Sequence, residues 1–191
     1  VISDSESSIN NFASKLEGQD ASAQAVANSF KRLEETIPRN AYGMIESMHE
    51  VGREYKNITR EASDTQSLIH KFALEARKDG KLTDGTLKKL PELTTKIEEL
   101  RKKLSLFVDK AEQYANKLTR WADGATHDKF ISRDAFDKIR NACSSMKLGC
   151  QGMQENVGFI GKEWNRITES ITRIVRDKTQ LEMDKQLNLV N

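Results

Sequence analysis

Proline, glycine and cysteine are all scarce in this chain: 2 Pro, 10 Gly and 2 Cys in 191 residues. Two cysteines exclude a fold built on disulfides. So few turn formers, beside 31% charged residues, bias the chain toward long helices. No apolar run approaches the roughly 18 residues that a membrane-spanning helix needs. Charge of one sign is missing as well, since 31 Lys+Arg face 29 Asp+Glu for a net charge of +2. The basic residues are interleaved with acids, so electrostatics do not point to nucleic acid. Glycine loops that cradle phosphate are absent too, and the 3 histidines form no recognisable nucleophile–base pair, which disfavours an enzyme.

What is present is periodicity. Spacings of three and four run from Ile9 through Phe12, Leu16, Gln19, Ala23, Val26, Phe30 and Leu33 to Ile37. A second series runs from Ala41 through Met48, Tyr55, Ile58 and Thr65 to Ala76, and a third from Leu90 through Ile97, Phe107 and Tyr114 to Trp121. The fourth runs from Phe136 through Cys143, Cys150, Ile160 and Trp164 to Ile174. Almost every slot is apolar or small; Gln19 and Thr65 are the exceptions. Such a repeat predicts long helices packed knobs-into-holes.

Punctuation divides the pattern into four helices, over about 3–36, 40–78, 86–122 and 133–187. Ser3 with Glu6 reads as a capping box, and Pro38 closes the first helix. Asn40 then caps the second, and the run from Asp79 to Gly85 ends it. Pro91 falls near the start of the third, Asp123-Gly124 ends it, and Ser132 caps the fourth. Short connections make neighbours antiparallel. The expected fold is therefore all-α: one domain over 1–191, an elongated up-down-up-down four-helix bundle with coiled-coil-like heptad packing. Its C-terminal helix spans roughly 80 Å and overhangs the others.

Several local patterns are candidate sites. Glu46-x-x-His49 matches one element of a di-iron bundle, but its heptad position faces solvent and no second element exists, so no metal or other cofactor is expected. Asp123 to Asp134 has the length of a calcium loop but places Ala125, His127 and Asp128 at positions three, five and six, so it reads as an ordinary connection. Cys143 and Cys150 lie one heptad apart, about 10 Å, too far for a mutual disulfide on a straight helix. They read as buried thiols. Lys88-Lys89 and Arg101-Lys102-Lys103 alternate with glutamates, the pattern of a salt-bridged helix face. Asn57-Ile58-Thr59 is a glycosylation sequon. Four glycines, Gly149, Gly152, Gly158 and Gly161, interrupt the last helix; they mark either a close helix approach or a hinge.

Function is expected at the level of class. The leading reading is a non-enzymatic interaction protein that binds a protein partner or forms a homo-oligomer through the overhang at Arg176, Leu181, Met183 and Leu187. The alternative is a membrane-acting or lipid-carrying bundle. In architecture alone the chain resembles exchangeable apolipoproteins and long-helix pore-forming toxins, which act from bundles of this shape. No local motif accompanies that likeness, and the hydrophobic hairpin of the toxins is missing. A two-in-seven stripe is also narrower than surface-lying helices prefer. The first residue, Val1, points to a processed chain or a piece of a longer one. The expected location is secreted or at the cell surface, with the cytoplasm as the alternative.

Overall fold

The structure is a computed structural model that describes residues 2–16, 21–78 and 84–190. Among the described residues it is all helix: α1 (Ile2–Leu16), α2 (Ala21–Thr36), α3 (Tyr42–Lys78), α4 (Asp84–His127) and α5 (Arg133–Val190). The residues expected in one first helix are described as α1 and α2, and both lie along α5 in one antiparallel register, Phe12 and Lys15 at Trp164 and Phe159, Ser22 and Val26 at Gly152 and Gly149. Gln19 and its neighbours at 17–20 lie outside the described residues, as does 79–83 from the second predicted turn.

Individual contacts give the neighbours and their order. Tyr114 Oη donates to the carbonyl of Met44, while Lys110 pairs with Glu54, Lys103 with Glu61 and Lys89 with Glu75, so positions descend along α4 as they rise along α3. Phe12 packs on Trp164 and Lys15 sits over the Phe159 ring, which sets α1 beside α5. Further along α5, Gly149 and Gly152 meet Ser22 of α2. By contrast, α2 and α3 barely touch.

The core follows the repeat. Val26, Leu33, Ile69, Phe107, Leu118, Ile139 and Trp164 are among the fully enclosed side chains, and Thr65 is buried despite its hydroxyl. Burial is nevertheless wider than two positions in seven. Val108, Ala115 and Ala122 on α4 and Ala142 on α5 are 0% exposed although none is a seam slot. Where α4 meets α5 the stripe is thus three in seven, the width of a globular bundle face. Small side chains at the flanking position let the helices sit close.

Several ends differ from expectation. α1 begins at Ile2, so it starts one residue before Ser3. Ala41, not Asn40, is the residue whose carbonyl accepts the first bonds of α3, from Met44 and Ile45. Pro91 sits well inside α4, which starts at Asp84; the proline is exposed, so its ring meets water rather than the core. α4 also runs through Asp123-Gly124 to His127. It ends in a Schellman cap, with Phe130 N–H on the Ala125 carbonyl, Lys129 N–H on the Thr126 carbonyl, and Lys129 left-handed at φ 62°. A lysine fills the place glycine usually takes, which is why the sequence rule stopped at Gly124. Ser132 does cap α5, its Oγ accepting the Ala135 N–H at 3.1 Å.

Candidate functional site

Because α2 leans on α5 and away from α3, an open groove of about 790 Å³ separates α2 from α3. Met48, Phe30 and Tyr55 form its floor, and Glu34, Glu46, His49, Glu50, Arg53 and Lys56 its rim. The floor is partly wet: Met48 is buried, while Phe30 and Tyr55 are half-buried. Tyr55 is the hub. Its ring lies 5.9 Å from Phe30 and 5.6 Å from Phe107, and its hydroxyl donates to the Ala23 carbonyl at 2.9 Å. Burial, and secondarily the neighbouring Cys150, raises its pKa.

The two seams that flank α3 are charged differently. Toward α4, each of Glu54, Glu61 and Glu75 is matched by a lysine of α4 at 2.6–2.8 Å. Toward α2, none of Glu34, Glu46, Arg53 and Lys56 has an ion-pair partner among the described residues, while Glu50 is close enough to Lys110 of α4 to help hold its proton. Glu46 and His49 are exposed on this rim. Among the described residues no three His, Cys, Asp or Glu side chains converge to hold a metal ion. Asp123 and His127 belong to α4, not to a separate loop.

Both cysteines are free and buried. Burial raises the Cys143 pKa, partly offset by a hydrogen bond from Thr119 and by Lys147. Burial and then Glu112 push Cys150 up to about 12. A thiol held this firmly protonated is a poor nucleophile.

The four glycines separate into two kinds. A Cβ on Gly149 would lie 2.7 Å from Val26 Cγ2 and 2.8 Å from the Ser22 carbonyl, and one on Gly152 would overlap the Ser22 side chain. One on Gly161 would meet the Arg101 guanidinium at 2.5 Å. These three sit at close approaches, whereas Gly158 is exposed with nothing near it. α5 stays helical through the whole stretch.

The remaining candidates are on the surface. Arg176, Leu181, Met183 and Leu187 are all exposed, as is every residue from 176 to 189; the last fully buried side chain of α5 is Ile171. Asn57 is exposed on α3, beside the Glu54–Lys110 and Glu61–Lys103 pairs. Lys88 and Lys102 are exposed, while Lys89, Arg101 and Lys103 are ion-paired with Glu75, Glu98 and Glu61. Sequence reasoning missed the α2/α3 groove, because Phe30 and Tyr55 occupy ordinary seam slots. Among the described residues no helix is long and apolar enough to cross a membrane. No protein-family model, curated protein or solved structure matches the chain.

Proposed function

We propose that this chain is a non-enzymatic interaction protein, an up-down-up-down bundle with heptad packing, secreted or surface-associated, that binds a protein partner or a second copy through the projecting end of α5. The observation that supports it is the end itself. Residues 176–189 continue as helix with no core contact, carrying Leu181, Met183, Leu187 and Leu189 at 53–86% exposure. A solitary helix of about that length is marginal in water, so a covering partner would stabilise it.

The test is sedimentation velocity over a thousandfold concentration range, for the chain and for Leu181→Asp/Leu187→Asp. Self-association predicts a mass that rises with concentration and falls back to monomer in the variant. A monomer throughout leaves a different protein as the partner. Loss of α5 helicity in the variant, without any change in association, would count against the end as a binding element.

A second reading, the membrane-acting or lipid-carrying bundle, is favoured by the three-in-seven apolar stripe of α4 and α5, broader than the heptad alone implies. Its test is tryptophan emission with neutral and anionic liposomes that carry a self-quenched dye. A blue or red shift supports engagement, dye release separates a pore-former from a carrier, and silence in both sinks the reading.

A further inference from the structure

Each buried cysteine of the core is an electrostatic neighbour of a tyrosine that ties two helices together. Cys143 is close to Tyr114, whose hydroxyl donates to the Met44 carbonyl across α3/α4 at 3.0 Å. Cys150 is close to Tyr55, whose hydroxyl donates to the Ala23 carbonyl across α2/α3 at 2.9 Å. The chemistry of the two positions is alike: both thiols are buried, and both tyrosines bond to a helix carbonyl. Their surroundings are not alike. The α3/α4 seam is reinforced by three lysine–glutamate pairs and by buried Ile58, Ile97 and Leu100. The α2/α3 seam is already parted by the groove, Glu34, Glu46, Arg53 and Lys56 on its rim are unpaired among the described residues, and Gly52 on its wall has open space where a side chain would sit.

We infer that the bundle opens along the α2/α3 seam, with Tyr55 as the latch and Cys150 as the group uncovered. The partition follows from what holds each helix. α2 is notched into α5 where Gly149 faces the backbone of Ser22 and Val26 and Gly152 faces the Ser22 side chain, so α2 moves with α5. α3 is clasped to α4, so α3 moves with α4. Between these two pairs, on the α2 side, Tyr55 reaches across with its hydrogen bond to Ala23 and its ring contact with Phe30. A seam where the two helices barely touch has the lowest cost of local opening. Opening there extends the groove down to Val26, Met48 and Cys150, turning a shallow cleft into an apolar channel.

The experiment is thiol labelling of the full chain under native conditions with N-ethylmaleimide, each cysteine followed by peptide mapping. Rates are normalised to those of the same cysteines in urea. Local opening at α2/α3 makes Cys150 react at least ~10-fold faster than Cys143, since Cys143 must wait for a rarer event. Tyr55→Phe raises the Cys150 rate roughly fivefold, the equivalent of one net hydrogen bond, whereas Tyr114→Phe, whose bond survives the α2/α3 opening, leaves the Cys150 rate unchanged. Equal normalised rates in the unmodified chain would mean that both thiols wait on global unfolding, and would overturn the inference without any variant. A Tyr114→Phe protein whose Cys150 rate rises as much as that of Tyr55→Phe, or a Cys143 that reacts first, would overturn it too.

Discussion

The indole N–H of Trp164 donates to Thr94 Oγ1 at 2.9 Å, and the same hydroxyl donates its own proton to the Leu90 carbonyl at 2.9 Å. One threonine thus satisfies the donor of a tryptophan that is 2% exposed and fixes the register of α5 on α4. Thr94→Val keeps the shape and removes the acceptor. It should cost about 1–3 kcal/mol, the penalty of a buried unsatisfied donor, while Thr94→Ser should recover most of it. Urea unfolding followed by tryptophan emission checks both.

The glycines of α5 should respond in opposite directions. Gly149→Ala drives a methyl into Val26 and the Ser22 carbonyl and should destabilise by about 1–3 kcal/mol. Gly158→Ala meets open space and gains helix propensity, so it should stabilise by up to ~1 kcal/mol. If both variants shifted the midpoint of thermal unfolding the same way, the α2–α5 notch would be refuted.

Lys129 bears a left-handed conformation that costs an L-residue with a Cβ about 1–2 kcal/mol. Lys129→Gly relieves it, and after the added freedom of the unfolded chain a gain of about 0.5–1 kcal/mol should remain. Lys129→Val should be destabilising by at least as much. Chemical denaturation of the two variants beside the parent decides the point.

Stability should decline in alkali. Cys150, Cys143, Tyr55 and Tyr114 all keep their protons in the folded state above their ordinary pKa values of 9.0 and 10.0, with burial as the first cause. Their pKa values are raised by folding, so the unfolded chain loses these protons first. Their contribution is whole below about pH 9 and is lost as pH climbs toward the folded values. For Cys150 alone the slope approaches ~1.4 kcal/mol per pH unit between the unfolded value and about 12. Cys150→Ala should flatten the decline measured by unfolding at pH 8, 9 and 10; an unchanged slope would remove the thiol from the account.

Sequence alone determined the helical class, the seam residues and the cap at Ser132. Each depends on neighbours within a turn or two, where spacing and propensity decide. Phe12, Val26, Ile97, Leu118, Ile139 and Trp164 were readable as core because a repeat of three and four leaves them one side to face. The exposed end at Arg176 to Leu187 was readable too, from the length by which the last helix exceeds its neighbours. The run of α4 past Gly124 and the cap on Lys129 were not, because capping tolerates residues that the usual rules exclude when the fold over-determines the turn. The groove, the latch and the roles of the glycines belong to tertiary structure. A heptad assigns a side chain to the inside of a helix pair, but it does not say which of two neighbouring helices comes close. That was decided where Gly149 and Gly152 admit Ser22: α2 settled on α5, drew away from α3, and left Tyr55 to bridge the gap.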